Sequence, residues 1–167
     1  MDDKLDKLMF TAANKPHSER IEFVINNLDD FMTDEADAAL SNLIPKLKIV
    51  PSAEFSVLQE ILRAARQKEI MQVIMEHFSD LEEISIEWVN VFTEDALGTK
   101  REYFRKNPKL ISNLSITALN NMIIEMQREG NAAEVDHLHQ HLIMLIECRK
   151  YGVEKAFKKL ILRSFSG

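Results

Sequence analysis

Chemistry needs ionisable or nucleophilic side chains at spacings that let them act together, and the run DHLHQH (136–141) is where this chain comes nearest. On a helix, His137 and His141 stand one turn apart, and Cys148 follows on nearly the same azimuth. Two imidazoles and a thiolate are zinc ligands by type. The rise from His141 to Cys148 is about 10 Å along a helix, however, too far for one shared tetrahedral ion. A Cys148–histidine protease dyad fails differently, because no oxyanion turn or orienting third group can be placed beside it. We therefore read His137 and His141 as polar edges of a buried stripe and Cys148 as a small core residue. No phosphate loop, dinucleotide fingerprint or HExxH motif occurs, and the carboxylates fall into no recognisable pair. The expectation is a protein with no catalytic residues, no metal and no cofactor, with an enzyme of unrecognised type as an alternative.

Charge offers a different kind of chemistry. Residues 1–99 hold 20 Asp and Glu against 9 Lys and Arg, a net of −11, whereas residues 100–167 hold 7 against 12, a net of +5. The basic residues gather in TKREYFRKNPK (99–109) and in the set Lys155, Lys158, Lys159 and Arg163. Tyr103 lies between Arg101 and Arg105, and an aromatic among arginines is enriched at binding hot spots. We take Arg101, Tyr103, Arg105 and Lys106 as the candidate partner-binding residues. The partner expected is an acidic protein surface, or the first half of a second copy through self-association. The alternative is that Tyr103 and Phe104 only anchor a short helix and the basic stretch is solvated. Nucleic-acid binding would need both clusters on one face and sits poorly with a pI of about 5.4.

The elements that must position these residues are helices. Four glycines and four prolines interrupt 167 residues, and no segment alternates as a half-buried strand does. The class is all-α, with helices expected at 3–13, 18–28, 33–48, 52–67, 68–79, 81–96, 99–107, 115–129, 131–150 and 152–165. Ser115 is read as the N-cap of its helix, Gly130 and Gly152 as stops, and Pro45 as a kink or early end. Leu119, Met122, Ile123 and Met126, then Val135, Leu138, Leu142, Leu145 and Ile146, then Val153, Ala156, Phe157, Leu160 and Ile161, form the buried faces. With 46% hydrophobic and 29% charged residues the chain suits one compact domain spanning 1–167. No apolar run reaches a membrane span, and the single cysteine suits a reducing compartment, so a soluble, unprocessed, cytoplasmic chain is expected.

The chain also repeats itself at an offset of about eighty residues. Phe10 and Thr11 match Phe92 and Thr93, Arg20 and Phe23 match Arg101 and Phe104, and Phe31, Met32 and Thr33 match Leu110, Ile111 and Ser112. Leu40, Leu43, Ile44 and Leu47 match Leu119, Met122, Ile123 and Met126; Leu62 and Arg66 match Leu145 and Arg149. Two tandem units, about 10–79 and 92–164, are expected to stack as a short solenoid or bundle, with Trp88 and Phe92 at their junction. Arg66 and Arg149 are read as laying their stems on the core with their heads in water, a buried salt bridge being the alternative.

The segments TDEADAALSNLI (33–44), NPKLIS (107–112) and IECRKYGVEKAFKKL (146–160) resemble the degenerate tetratricopeptide-like repeats of large bacterial proteins that often end in a caspase-like CHAT protease domain. The resemblance implies a recognition or scaffold module made of repeats alone, since the chain ends after its last helix without the protease. Glu69 stands where the second unit has Gly152, and Pro45 has no counterpart.

Overall fold

The computed structural model describes residues 3–166, and among them every regular element is helical. The chain divides into two compact units, Met1–Phe78 and Ser79–Gly167, and the division falls inside one long helix.

The first unit comprises α1 (Asp3–Ala13), α2 (His17–Asn26), α3 (Leu28–Phe31), α4 (Asp34–Leu43), a 3₁₀ turn (Ile44–Lys46), α5 (Ile49–Ala64) and the start of α6 (Ile70–Phe92). Local chemistry sets its boundaries. The Thr33 hydroxyl accepts from the Ala36 amide at 3.1 Å, and Asp34, Glu35 and Asp37 place negative charge at the positive end of α4. Pro45, with no amide to give, ends that helix as a tighter turn. Met9, Ala12, Val24, Phe31, Leu40, Phe55, Leu58 and Leu62 form the core.

The second unit comprises the rest of α6, α7 (Leu97–Lys106), a 3₁₀ turn (Pro108–Ile111), α8 (Asn113–Arg128), α9 (Ala132–Tyr151) and α10 (Val153–Ser166). α8 packs on α9, α9 on α10 and α10 on α7. Gly130 (φ 73°) and Gly152 (φ 87°) take left-handed conformations at the ends of α8 and α9, so both helices stop there. Trp88, Phe104, Leu119, Leu145 and Phe157 are fully buried in the centre, with Phe104 edge-on to both Trp88 and Phe157 at 5.5 Å between centroids.

Several expectations change on contact with the structure. The two helices expected at 68–79 and 81–96 are the single helix α6, which runs unbroken through the exposed Ser79 and Asp80 because Val73, Ile74, His77, Ile84 and Trp88 bury its face on either side of them. The N-cap of α8 is Ser112, whose hydroxyl accepts from the Ser115 amide at 3.2 Å. Ser115 is instead fully buried and accepts a hydrogen bond from Trp88 Nε1 at 2.7 Å. α5 starts at Ile49, ahead of Pro51, whose missing amide falls in a first turn where amides have no intrahelical partner. Trp88 and Phe92, expected at a junction, both belong to the second unit, stacked at 5.9 Å. The opposition of charge is redrawn too. By sequence the first unit carries −5 and the second −1, because six acids and no base lie between 79 and 99. The sharp electrostatic contrast therefore lies within the second unit.

At the paired positions, Phe31 and Leu110, Leu40 and Leu119, and Leu62 and Leu145 are all buried, and Thr33 and Ser112 both cap helices. No helix among the described residues is long and apolar enough to cross a membrane.

Candidate protein-interaction surface

Buried polar pairs tie the helices within each unit. In the first, Arg20 of α2 is 4% exposed and makes three hydrogen bonds: Nη1 donates to Glu54 Oε2 of α5 at 2.7 Å, Nε to the Ala12 carbonyl and Nη2 to the Lys15 carbonyl, both at 2.8 Å. In the second, Lys100 of α7 donates to His141 Nε2 of α9 at 2.8 Å. The tautomer follows from geometry: His141 Nδ1 faces the His137 carbonyl at 2.9 Å, which can only accept, so Nδ1 carries the proton and Nε2 is free to accept. Burial, reinforced by the Lys100 ammonium, holds His141 down to about 4, and burial likewise lowers Lys100 against the pull of Asp95. The first unit also holds a histidine pair, His17 and His77, which meets Nε2 to Nε2 at 2.9 Å; burial, then His77 and Arg20, hold His17 down to about 3.

These pairs are packing devices. His141 is committed to Lys100 and packed against Trp88 and Phe92, and His137 stands edge-on to it at 4.5 Å. Among the described residues no three His, Cys, Asp or Glu side chains are grouped to hold a metal ion. Cys148 is 1% exposed, and burial, with Glu147 nearby, pushes its thiol up to about 12. Arg66 and Arg149 are both exposed, Arg66 reaching Asp34 at 2.9 Å.

The four candidate residues of α7 do not share one face. Arg101 and Arg105, one turn apart, look toward α10: Arg105 grips both carboxylate oxygens of Glu154, through Nε and, at 2.6 Å, through Nη2, and also meets Glu102. Its charge is thereby matched inside the unit. Tyr103 is half-buried, and its carbonyl accepts from the Asn107 backbone amide at 3.0 Å. Lys106 is exposed and lines a groove on the other side of the helix end.

That groove encloses about 590 Å³ between α6 and the segment 106–114. Ile84, Ile86, Leu110, Leu114 and Pro108 supply its apolar lining, with Ile86 55% exposed. Asp80, Glu83 and Glu87 edge it from α6, and Lys106 and Lys109 from the opposite segment. Helical periodicity alone places the acids one turn apart along α6, but only the fold sets them across from the lysines, about twenty residues later in the chain. Comparison of the chain with models of protein families, with curated proteins and with solved structures gives no match.

Proposed function

We propose that this protein is a non-catalytic helical interaction module whose second unit receives a segment of a partner protein in the groove between α6 and residues 106–114. The observation that carries this reading is the pairing, in one concavity, of an apolar lining with walls of opposite charge. Apolar area supplies affinity, while the opposed walls fix the direction in which a segment lies, since reversing it sets like charges together. A fitting partner places one or two apolar side chains against Ile84, Ile86 and Leu110, with acidic residues toward Lys106 and Lys109. The same reading takes the units as two copies of one helical plan, in the manner of the tetratricopeptide-like repeats the sequence resembles. It is supported by the matched burial and matched caps. A second copy of the chain is the other occupant with support, because the acids of α6 and the lysines of 106–109 are complementary.

The test is affinity capture from the native cell with the wild-type chain, Ile86→Asp, the double variant Lys106→Glu/Lys109→Glu, and Glu60→Lys as a control on an exposed position of the first unit. The same captured protein should disappear with both groove variants and persist with the control, at unchanged helical circular dichroism. A captured set indifferent to Ile86→Asp and to the lysine reversals overturns the proposal.

A further inference from the structure

A second concavity, of about 610 Å³, lies between α7 and α10, lined by Arg101, Lys155, Lys158, Ile161, Leu162 and Glu154. Its charge is unbalanced. Glu154 is held by Arg105 through both carboxylate oxygens, and among the described residues Lys155 and Lys158 form no ion pair. Arg101 Nε is buried yet has no hydrogen-bond partner, although a guanidinium N–H left unpaired out of water is costly. Positive charge continues past the rim, where Lys150, Lys155 and Lys159 hold their ammonium groups 5.2, 5.7 and 3.7 Å from the centroid of the Tyr151 ring. Cation–π contact explains why these lysines settle on the ring. It does not explain why Arg101, with its unsatisfied Nε–H, and the cations Lys155 and Lys158 line one cleft whose one acid is already engaged.

We propose that the cleft between α7 and α10 is a binding site for a phosphate monoester, in which the Arg101 guanidinium donates to the phosphate, Lys155 and Lys158 balance its charge, and the esterified group rests on Ile161 and Leu162. The charge decides the ligand class. A single carboxylate leaves most of the positive charge unmatched, whereas a phosphate monoester carries about −1.5 to −2 and three acceptor oxygens. Stacked nucleobases fit less well, because no aromatic ring is among the described residues that line the cleft, and the Tyr151 ring beyond its rim is already covered by Lys159. The site is separate from the groove beside Lys106 and stands whether or not that groove binds a protein.

The experiment is isothermal titration of the full chain at low salt with phenyl phosphate, inorganic phosphate, benzoate, a short tyrosine-phosphorylated peptide and an unphosphorylated aspartate-rich peptide. Phenyl phosphate should bind one to one and saturably in the millimolar range or tighter, with benzoate at least tenfold weaker. Arg101→Gln, and independently the exposed pair Lys155→Gln/Lys158→Gln, should each weaken phenyl phosphate at least tenfold, while Lys106→Gln/Lys109→Gln leaves it unchanged. A phosphopeptide tighter than phenyl phosphate supports the site and points to a phosphorylated protein as the source. Inorganic phosphate as tight as phenyl phosphate overturns the assignment of an esterified ligand resting on Ile161 and Leu162. Absence of saturation by phenyl phosphate, equal binding by the Lys155→Gln/Lys158→Gln variant, or tight binding of the aspartate-rich peptide alone overturns the assignment.

Discussion

Replacing Arg20 with methionine keeps most of the aliphatic stem but removes the guanidinium, whose Cζ lies 4.8 Å from the centroid of the Phe55 ring. Three acceptors lose their donor at once: Glu54 Oε2 and the carbonyls of Ala12 and Lys15. Glu54 is only 4% exposed, so its carboxylate is left inside without the charge that made it tolerable. Removing one member of a buried pair costs about 3–5 kcal/mol, and that loss is the expected result for Arg20→Met. Glu54→Met should cost less, because Arg20 retains two carbonyl partners. The double variant Arg20→Met/Glu54→Met removes both charges of this pair, and apolar replacement of both partners is often close to neutral. It should therefore be more stable than Arg20→Met alone, a coupling that urea denaturation followed by far-ultraviolet circular dichroism measures directly. A loss below about 1 kcal/mol for Arg20→Met, or a double variant whose cost equals the two singles added together, would refute the view that this pair clamps α2 to α5.

Acidification tests the histidines. His17 and His141 are lowered in the fold from an ordinary value of 6.5, so the unfolded chain binds more protons, and their contribution is complete above pH 6.5 and lost as pH falls through about 4 and about 3. For His141 the full loss is about 3 kcal/mol, so thermal midpoints should drop between pH 6.5 and 4, and less steeply in His141→Gln. A midpoint flat across that window contradicts buried, neutral His17 and His141. Cys148, buried with its thiol pushed up to about 12, should resist an aromatic disulfide reagent at pH 8 in the native state and react stoichiometrically once unfolded. Rapid native labelling would show that α9 exposes it.

The sequence announced the helices wherever backbone chemistry is local. Gly130, Gly152 and Pro45 act through their own dihedral preferences, so each stop could be placed without knowing what lay nearby. Serine and aspartate favour caps when judged alone, while burial of Val73, Ile74, His77, Ile84 and Trp88 along one helix overrides that preference and keeps α6 continuous. Lys100 was invisible as a buried residue: in TKREYFRK it looks like one cation among four, and only its meeting with His141, forty-one residues on, draws it inside. The candidate surface was legible in part. Basic residues at 99–109 and 155–163 stood out as two clusters, but their convergence needs α7 packed on α10, which no spacing encodes. The groove beside Lys106 depends likewise on α6 acids that the charge count had assigned to the other half of the chain.

The most direct test of the groove as the protein's working surface is photo-crosslinking in the native cell with a photoreactive residue at position 86. Position 10, where Phe10 is 72% exposed in the first unit, serves as the comparison. Position 86 should give a discrete adduct with one protein, absent from position 10 and abolished by Lys106→Glu/Lys109→Glu. An identical set of adducts from both positions, or an adduct at 86 that survives the lysine reversals, would contradict it.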